Sequence, residues 1–480
     1  MGTASSTPAA ISQCLLAAVG GNSNLVAFPN DLLYKVNSVH QYNLDIPITP
    51  AAVTFPESVE QVAAVVKCAA DANYKVQAKS GGHSYGNYGY GGVDGAIVVD
   101  LKNFQQFSMD DSTYIATIGA GTLLGDVTTR LHNAGGRAMA HGTCPQVGIG
   151  GHATIGGLGP TSRQWGSALD HVVGAEVVLA NSSIIRASET ENPDVFFAIK
   201  GAASSFGIVT EFKVRTEPEP DSVVQYSYTF NVRDAASRAK TFKDWQALIS
   251  EPDLSRKFAS MVIVLEHTLI IFGTFFGTRA EFDSFQLQNR FPANQGANVT
   301  VIDDWMALVT NWATGVDLQL TGGLPSPFYS KSLNFRRDTL IPSATVDKVF
   351  QYLDKADKGT PLWFVLFDLE GGATNDVPVD ATAYAHRDVL FWMQSYAIGL
   401  TGVSKTTKDF LNGLNNIISG DMSYFEFGAY PGYVDPELAA GQQAYWGPNL
   451  PRLERIKAEI DPHDVFHNPQ SVRPFLAYSQ

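Results

Sequence analysis

The chain is short of cationic residues and of cysteine, and it contains no long apolar run. Against 33 Lys and Arg stand 47 Asp and Glu, a formal net charge of −14. That balance repels nucleic acid and anionic lipid while leaving a neutral substrate nearly untouched, so polynucleotides are not expected as partners. No apolar stretch reaches the roughly 20 residues of a membrane-spanning helix; no membrane partner is expected either. The opening MGTASSTPAAISQ lacks a charged flank followed by an apolar core, and it reads as a mature or recombinant start from which a secretion signal has been removed. Internal repeats and low-complexity segments are absent. Only three cysteines occur, Cys14, Cys68 and Cys144. In a secreted protein that allows at most one internal bridge and leaves one thiol over. The sequons Asn181-Ser-Ser and Asn298-Val-Thr fit secretion and glycosylation.

What is present describes a soluble globular protein. A chain of 480 residues, 45% hydrophobic and 17% charged, exceeds one core and suggests two or three domains. The first 215 residues alternate strand and helix patterns. VEQVAAVVKCAADAN from Val59 and TLLGDVTTRLHNAG from Thr122 have helical spacing; VQAKS, AIVVDL and YIATIGAG read as strands. AEVVLANSSIIRAS reads as a pair of strands, PDVFFAIKG as a short helix and GIVTEFKV as a strand. Such alternation indicates an α+β or α/β domain. The acidic, proline-rich TEPEPDS (216–222) marks a boundary. Beyond it, VVQYSYTFNV, SMVIVLEHTLIIFGTFFG and PLWFVLFDLEGG predict a broad antiparallel sheet backed by helices. A helical NLPRLERIKAEI then precedes DPHDVFHNPQSVRPF, whose polar, proline-broken character suits a tail folding back over a site.

Two glycine clusters carry the chemistry, KSGGHSYGNYGYGG (79–92) and GTCPQVGIGGHATIGGLG (142–159). Glycine lets backbone N–H groups converge on an anion, because no side chain blocks approach and positive φ is allowed. Together the two runs could cradle a pyrophosphate from both sides; tight surface loops are the plain alternative. Gly148-x-Gly150-x-x-Ala153 with Asp170 superficially matches a dinucleotide fingerprint. That motif needs a buried strand before it and a helix after it, whereas TCPQ precedes and HATIGGLGP follows, so a nicotinamide site is not expected.

His83 in SGGHSYG, Cys144 in HGTCPQVGIGGH, DHVVGAEVVLA and FGIVTEF together resemble the flavin oxidases of the vanillyl-alcohol-oxidase fold. More narrowly they are similar to the berberine-bridge-enzyme-like branch, and TAYAHRD with the terminal DPHDVFHNPQSV brings the resemblance nearest to fungal glucooligosaccharide and chitooligosaccharide oxidases. The resemblance implies an α+β, two-domain FAD-binding fold with a substrate domain on a large antiparallel sheet backed by helices. Residues 1–215 form the FAD-binding part, 216–445 the substrate domain, and 446–480 return to the first. It implies FAD bound covalently through His83, at the flavin 8α carbon, and Cys144, at C6. Around them the implied flavin-holding set is Ser80, Gly81, Gly82, Ser84 and Tyr85 from the first cluster. The second supplies Gly142, Thr143, Val147, Gly148, Gly150, Gly151, His152, Gly156 and Gly157, and Ile208, Asn468 and Gln470 complete the set. With Cys144 given to the flavin, the implied disulfide is Cys14 with Cys68.

The segment AYPGYVD resembles the family's Tyr-x-Asn-Tyr-x-Asp motif, which carries the catalytic base onto Tyr433 and a supporting position onto Tyr430, with Gly432 standing where the motif has asparagine. A tyrosine starts near pKa ~10 and needs a neighbouring charge to act as a base. Asp368 matches its carboxylate partner, Gln394 a sugar-binding amide and Tyr85 an aromatic over the flavin-proximal sugar. Trp363 and Phe364 are candidates for a platform under a pyranose face. Leu366 and Ile263 fall where the glucooligosaccharide oxidases carry polar side chains, which makes this groove more apolar. Val147 matches a gate position at which a small residue admits dioxygen. The expected activity is secreted, FAD-dependent oxidation of the reducing-end C1 hydroxyl of an oligosaccharide, with dioxygen reduced to hydrogen peroxide. A monomer without a metal is expected. The rivals are the same fold acting on an aromatic or alkaloid-type alcohol, and a silent carbohydrate-binding protein with no bound flavin.

Overall fold

A computed structural model of the chain describes residues 8–293, 296–315, 323–421 and 427–475. The first seven residues of the opening stretch lie outside the described residues.

The amino-terminal part holds two sheets. The first contains β1 (Val26–Ala27), β2 (Ala52–Thr54), β3 (Val76–Lys79) and β4 (Ile97–Asp100), in the order β1-β2-β4-β3. β4 runs parallel to both β2 and β3, which demands a crossover, supplied between β2 and β3 by the helix Val59–Asp71. Ser58 caps that helix by accepting from the Gln61 N–H. Val62, Val65, Val66 and Ala69 recur at helical spacing and are buried in the core. Cys68 on the same helix is disulfide-bonded to Cys14 on the helix Ala9–Ala18.

The second sheet joins β5 (Phe107–Asp110), β6 (Ile115–Gly119), β8 (Val172–Val178), β9 (Ile184–Ala187) and β10 (Ile208–Arg215), antiparallel in the order β5-β6-β10-β8-β9. The boundary stretch is not a plain linker. It carries β11 (Glu217–Pro218), which pairs with β7 (Arg137–Ala138).

Beyond it lies the predicted broad sheet, of seven antiparallel strands: β12 (Val223–Asn231), β13 (Met261–Val264), β14 (Thr268–Phe275), β15 (Gly296–Ile302), β16 (Phe328–Arg336), β17 (Trp363–Leu369) and β18 (Val389–Ile398). Their order is β15-β12-β14-β13-β17-β18-β16. Helices Ala235–Ile249, Ser343–Lys355 and Lys405–Ser419 cover one face, packing Phe242, Trp245, Phe350, Phe410 and Leu414 against Val365, Phe367 and Phe391. Each such side chain contributes about 1.5–3 kcal/mol on burial. The opposite face of β13, β17 and β18 is left for the cleft.

The tail returns as read from its sequence. After the helix Leu450–Ile460, the Val76 N–H donates to the Val465 carbonyl at 2.8 Å and Phe466 enters the amino-terminal core. The buried Lys457 ammonium holds this return by donating to Asp461 (2.6 Å), the Ser205 carbonyl (2.7 Å) and the Phe466 carbonyl (2.9 Å).

Candidate active site

A cleft of about 380 Å³ separates the glycine loops from the open face of the large sheet. Its two sides are made differently. On the loop side, a Cβ on Gly81 would run into the backbone of Gln146 and Gly148, and one on Gly148 into Ser80 and Gly81. The loops therefore meet backbone to backbone, and Gly82 turns the first of them at φ +78°. The Ser80 hydroxyl donates to the Ala120 carbonyl at 2.7 Å, tying this junction to the end of β6.

His83 and Cys144 both line the cleft. The His83 ring lies 4.5 Å from the Tyr42 ring. Burial, with a smaller push from the Lys79 charge, lowers its pKa to about 4; the imidazole is neutral and keeps a nucleophilic lone pair. The Cys144 thiol donates to Gln146 Oε1 at 3.3 Å. His152, lowered to about 3 by burial and by His141, accepts the Gly142 N–H on Nε2 at 2.9 Å and so fixes the second loop.

On the sheet side, strand alternation sorts β17. Phe364, Leu366 and Asp368 line the cleft, whereas Trp363, Val365, Phe367 and Leu369 belong to the core behind. Trp363 is thus not a sugar platform: its neighbour Phe364 occupies the cleft face, and its own indole N–H donates to Glu266 at 3.2 Å. Leu366 sits opposite Gln394 in the β17–β18 ladder. The Gln394 amide donates to the Tyr85 hydroxyl (3.1 Å) and to Ser330 (3.3 Å). Ile263 is fully buried in the apolar cluster beside the cleft.

Tyr433 ends the one-turn segment Pro431–Tyr433. Its ring stacks on Tyr85, with centroids 5.9 Å apart and planes 26° apart, and meets Tyr430 edge-on at 5.1 Å. Burial raises the Tyr433 pKa well above 10, and the Asp368 charge adds to it. The same desolvation puts Tyr85 at about 12, against a lowering hydrogen bond from Gln394. The Tyr430 hydroxyl accepts the N–H groups of Gly157 (2.9 Å) and Leu158 (3.3 Å), so the motif tyrosine anchors the second glycine loop. Gly432 has a local reason: any Cβ there would press on the Tyr430 ring.

Of the flavin-holding set, the residues from both loops line the cleft except Gly156 and Gly157, which sit behind it against Tyr430, Tyr384, His152 and Ala168. Ile208 is a correction. Its side chain is buried in the amino-terminal core and is not on the cleft lining, whereas the flanking Gly207 and Val209 are, Val209 while also packing in that core. Asn468 and Gln470 line it from the tail. Gln470 accepts from Tyr88 (2.8 Å) and Tyr445 (3.1 Å) and donates to the Asp435 carbonyl (2.8 Å), joining the tail to the loop that carries Tyr430 and Tyr433. Sequence reasoning missed Tyr42, Met261 and the lining stretch 201–204, whose signal was a third run of small residues, GAASS, between a helix and a strand.

Two glycine loops meeting backbone to backbone, a neutral imidazole and a thiol on the cleft lining, and a tyrosine and a carboxylate from the other side make a site suited to a bound redox cofactor. A family model described as an FAD binding domain matches residues 50–188, and one described as berberine and berberine like matches 429–473. An FAD-linked oxidoreductase of Penicillium rubens, sorD, is 44% identical, over 97% of this chain and 98% of its own length. The solved xylooligosaccharide oxidase from Myceliophthora thermophila C1, in complex with xylobiose, is 34% identical with a TM-score of 0.88, covering 98% of this chain and 100% of that one. A glucooligosaccharide oxidase from Acremonium strictum, solved to study its 6-S-cysteinyl, 8α-N1-histidyl FAD, is 31% identical with a TM-score of 0.88, covering 98% and 100%. The chain belongs to the berberine-bridge-enzyme-like FAD-linked oxidoreductases of the vanillyl-alcohol-oxidase fold.

Proposed function

We propose that the chain is a secreted FAD-dependent carbohydrate oxidase that oxidises the reducing-end C1 hydroxyl of an oligosaccharide to a lactone. One observation carries this reading: Tyr433, Tyr85 and Gln394 form a linked set, with Asp368 on the same lining, in the cleft that also holds His83 and Cys144. The residues suit the group. The loops close so tightly that a single Cβ would obstruct them, the imidazole is neutral, and the thiol lies outside the disulfide. His83 and Cys144 would hold FAD covalently, with the backbone of Gly81, Gly82, Gly148 and Gly150 along it and Asn468 and Gln470 at the tail. When bound, FAD supplies a two-electron acceptor that dioxygen reoxidises, giving hydrogen peroxide.

The chain's own work is to bind, orient and move a proton. Gln394 and Tyr85 hold the first ring, with the C1 hydroxyl toward Tyr433. Because burial and Asp368 keep Tyr433 protonated at rest, Tyr433 Oη takes the substrate proton as its own proton passes to the Asp368 carboxylate. The C1 hydrogen then leaves with the bonding electron pair as hydride, for which FAD would be the acceptor. The released lactone takes up water to give the aldonic acid. Val147, packed against the amino-terminal core beside Cys144, leaves room for dioxygen. The division into residues 1–215, 216–445 and 446–480 belongs to this reading and is supported by the separate cores on either side of the cleft. Glycans at Asn181 and Asn298, both exposed, and a monomeric state belong to it as well.

A second reading is favoured by one observation: Met261, Phe364 and Leu366 make the sheet wall apolar around Asp368 and Gln394. That wall suits the same oxidation on an aromatic or alkaloid-type alcohol. Peroxide release across cello-, malto-, xylo- and chito-oligosaccharides and a set of benzylic alcohols tests both. Turnover confined to the sugars supports the first reading, and turnover confined to the benzylic alcohols sinks it.

A further inference from the structure

Glu370 is a buried carboxyl group that the proton path above does not use. It is 2% exposed, and its Oε2 has no hydrogen-bond partner among the described residues. Its N–H donates to the Leu390 carbonyl at 2.7 Å, extending the β17–β18 ladder by one residue. Alternation therefore puts its side chain on the same side of the strand as Asp368, two residues earlier. The cation beside it favours the charged form but makes no ion pair with the carboxyl. Arg163, itself 3% exposed, directs Nε to the Phe258 carbonyl (2.8 Å), Nη2 to the Ser255 carbonyl (3.3 Å) and Nη1 to the backbone carbonyl of Glu370. Among the described residues no ion pair reaches the Glu370 carboxyl. The remaining titratable neighbours are Asp368 on its own strand, Tyr430 and Tyr433 from the catalytic-motif loop, and Tyr384, beyond which Arg387 is already paired with Asp170 at 2.8 Å.

A carboxylate in such a place would be a desolvated, unpaired charge, which costs far more than keeping the proton. Two carboxyls this close do not both ionise readily. We propose that Glu370 stays a neutral acid behind Tyr433 and Asp368, leaving Asp368 as the one carboxylate presented to the substrate. The proposal rests on the proton path just described and names the group that sets its charge. Burial first, and then the Asp368 charge, hold the Glu370 carboxyl well above its ordinary 4.5, against the smaller opposing pull of the Arg163 guanidinium. The native state thus binds one proton more than the unfolded state once pH exceeds 4.5, so that share of stability is present below 4.5 and is lost as pH rises toward the native value.

The test is the thermal midpoint of the wild-type and E370Q holoproteins from about pH 5 to 9, with the rate of flavin reduction alongside. E370Q keeps a neutral donor of the same shape, so its midpoint gains on the wild type by about 1–3 °C as pH rises, and its reduction rate stays within about threefold at neutral pH. E370L, which likewise carries no charge, shows the same pH-dependent gain in midpoint with bound flavin retained. A midpoint difference constant across that range overturns the proposal, as does a loss of about tenfold or more in the reduction rate of E370Q at neutral pH. Should E370Q fail to fold, infrared spectra of the wild type decide: the carbonyl band of a protonated carboxylic acid persists at neutral pH, and its absence overturns the proposal. Midpoints and infrared bands do not depend on the substrate. If no sugar or alcohol reduces the flavin, the proposed function fails while the inference about Glu370 is still decided.

Discussion

The two walls of the cleft solve opposite problems. The loop wall is made by removing side chains, so that residues 80–82 and 142–150 bring main-chain groups to the surface and hold two reactive side chains, His83 and Cys144, between them. The sheet wall is made by adding large ones, Phe364, Leu366 and Met261, with polar groups only at Asp368 and Gln394. The first has no tolerance for added volume because backbone cannot move aside. The second is graded, since a strand accepts a different side chain at the price of local repacking. One wall should therefore decide whether a cofactor is held, and the other which substrate is used.

The largest effect expected from this contrast is at Gly148. Gly148→Val forces Ser80 and Gly81 away from the junction, at a cost of about 3 kcal/mol or more, and the purified protein should lack bound yellow flavin. Retention of flavin in that variant would break the contrast at once. Next is Tyr433→Phe, which spans the two walls through its stacking on Tyr85. Flavin content stays normal, and reduction slows about 100- to 10,000-fold in stopped-flow.

A pH experiment separates the walls without mutation. Burial holds His152 at about 3 and His171 at about 4 on the loop side, and His386 at about 4 on the sheet side. Each binds its proton in the unfolded chain near 6.5 but not in the native one, so stability falls as pH drops from 6.5 toward 4. With two of these three imidazoles near the loops, flavin absorbance should change at higher pH than the fluorescence of the tryptophans, six of seven of which lie beyond residue 216. Coincident transitions would refute the division. The smallest effect belongs to Leu366→Gln. It should leave flavin content alone, lower KM for oligosaccharides about threefold to tenfold, and raise KM for benzylic alcohols. A change in flavin content here would mean that the walls are not independent.

The glycine loops were legible in the sequence because their chemistry is local. A histidine or cysteine inside a glycine run states its surroundings within ten residues, and the His83 and Cys144 segments do so in SGGHSYG and HGTCPQVGIGGH. The returning tail was legible for a similar reason, in its prolines and polar residues. Trp363 and Phe364 were not separable. Both are large, adjacent and apolar, and β17 is buried on both faces, so alternating polarity gives no clue to which face is which. Ile208 is a different case: the resemblance placed it with the flavin, although β10 alternates, with Phe212 and Val214 buried and Lys213 and Arg215 exposed, and that pattern groups Ile208 with the core side. Glu370 was silent because nothing near it in sequence, LFDLEGG, says that Arg163 will arrive from two hundred residues away and use its donors on carbonyl groups.

By itself, then, the sequence determined the flavin-type loops, the helices and strands that carry them, and the presence of the AYPGYVD tyrosine pair. Only the tertiary structure decided which side of β17 faces the cleft, that Tyr430 anchors the second loop, and that a second carboxyl lies behind Asp368. Backbone conformation and nucleophiles are properties of short segments, whereas strand facing, desolvation and charge pairing depend on what distant segments bring against them.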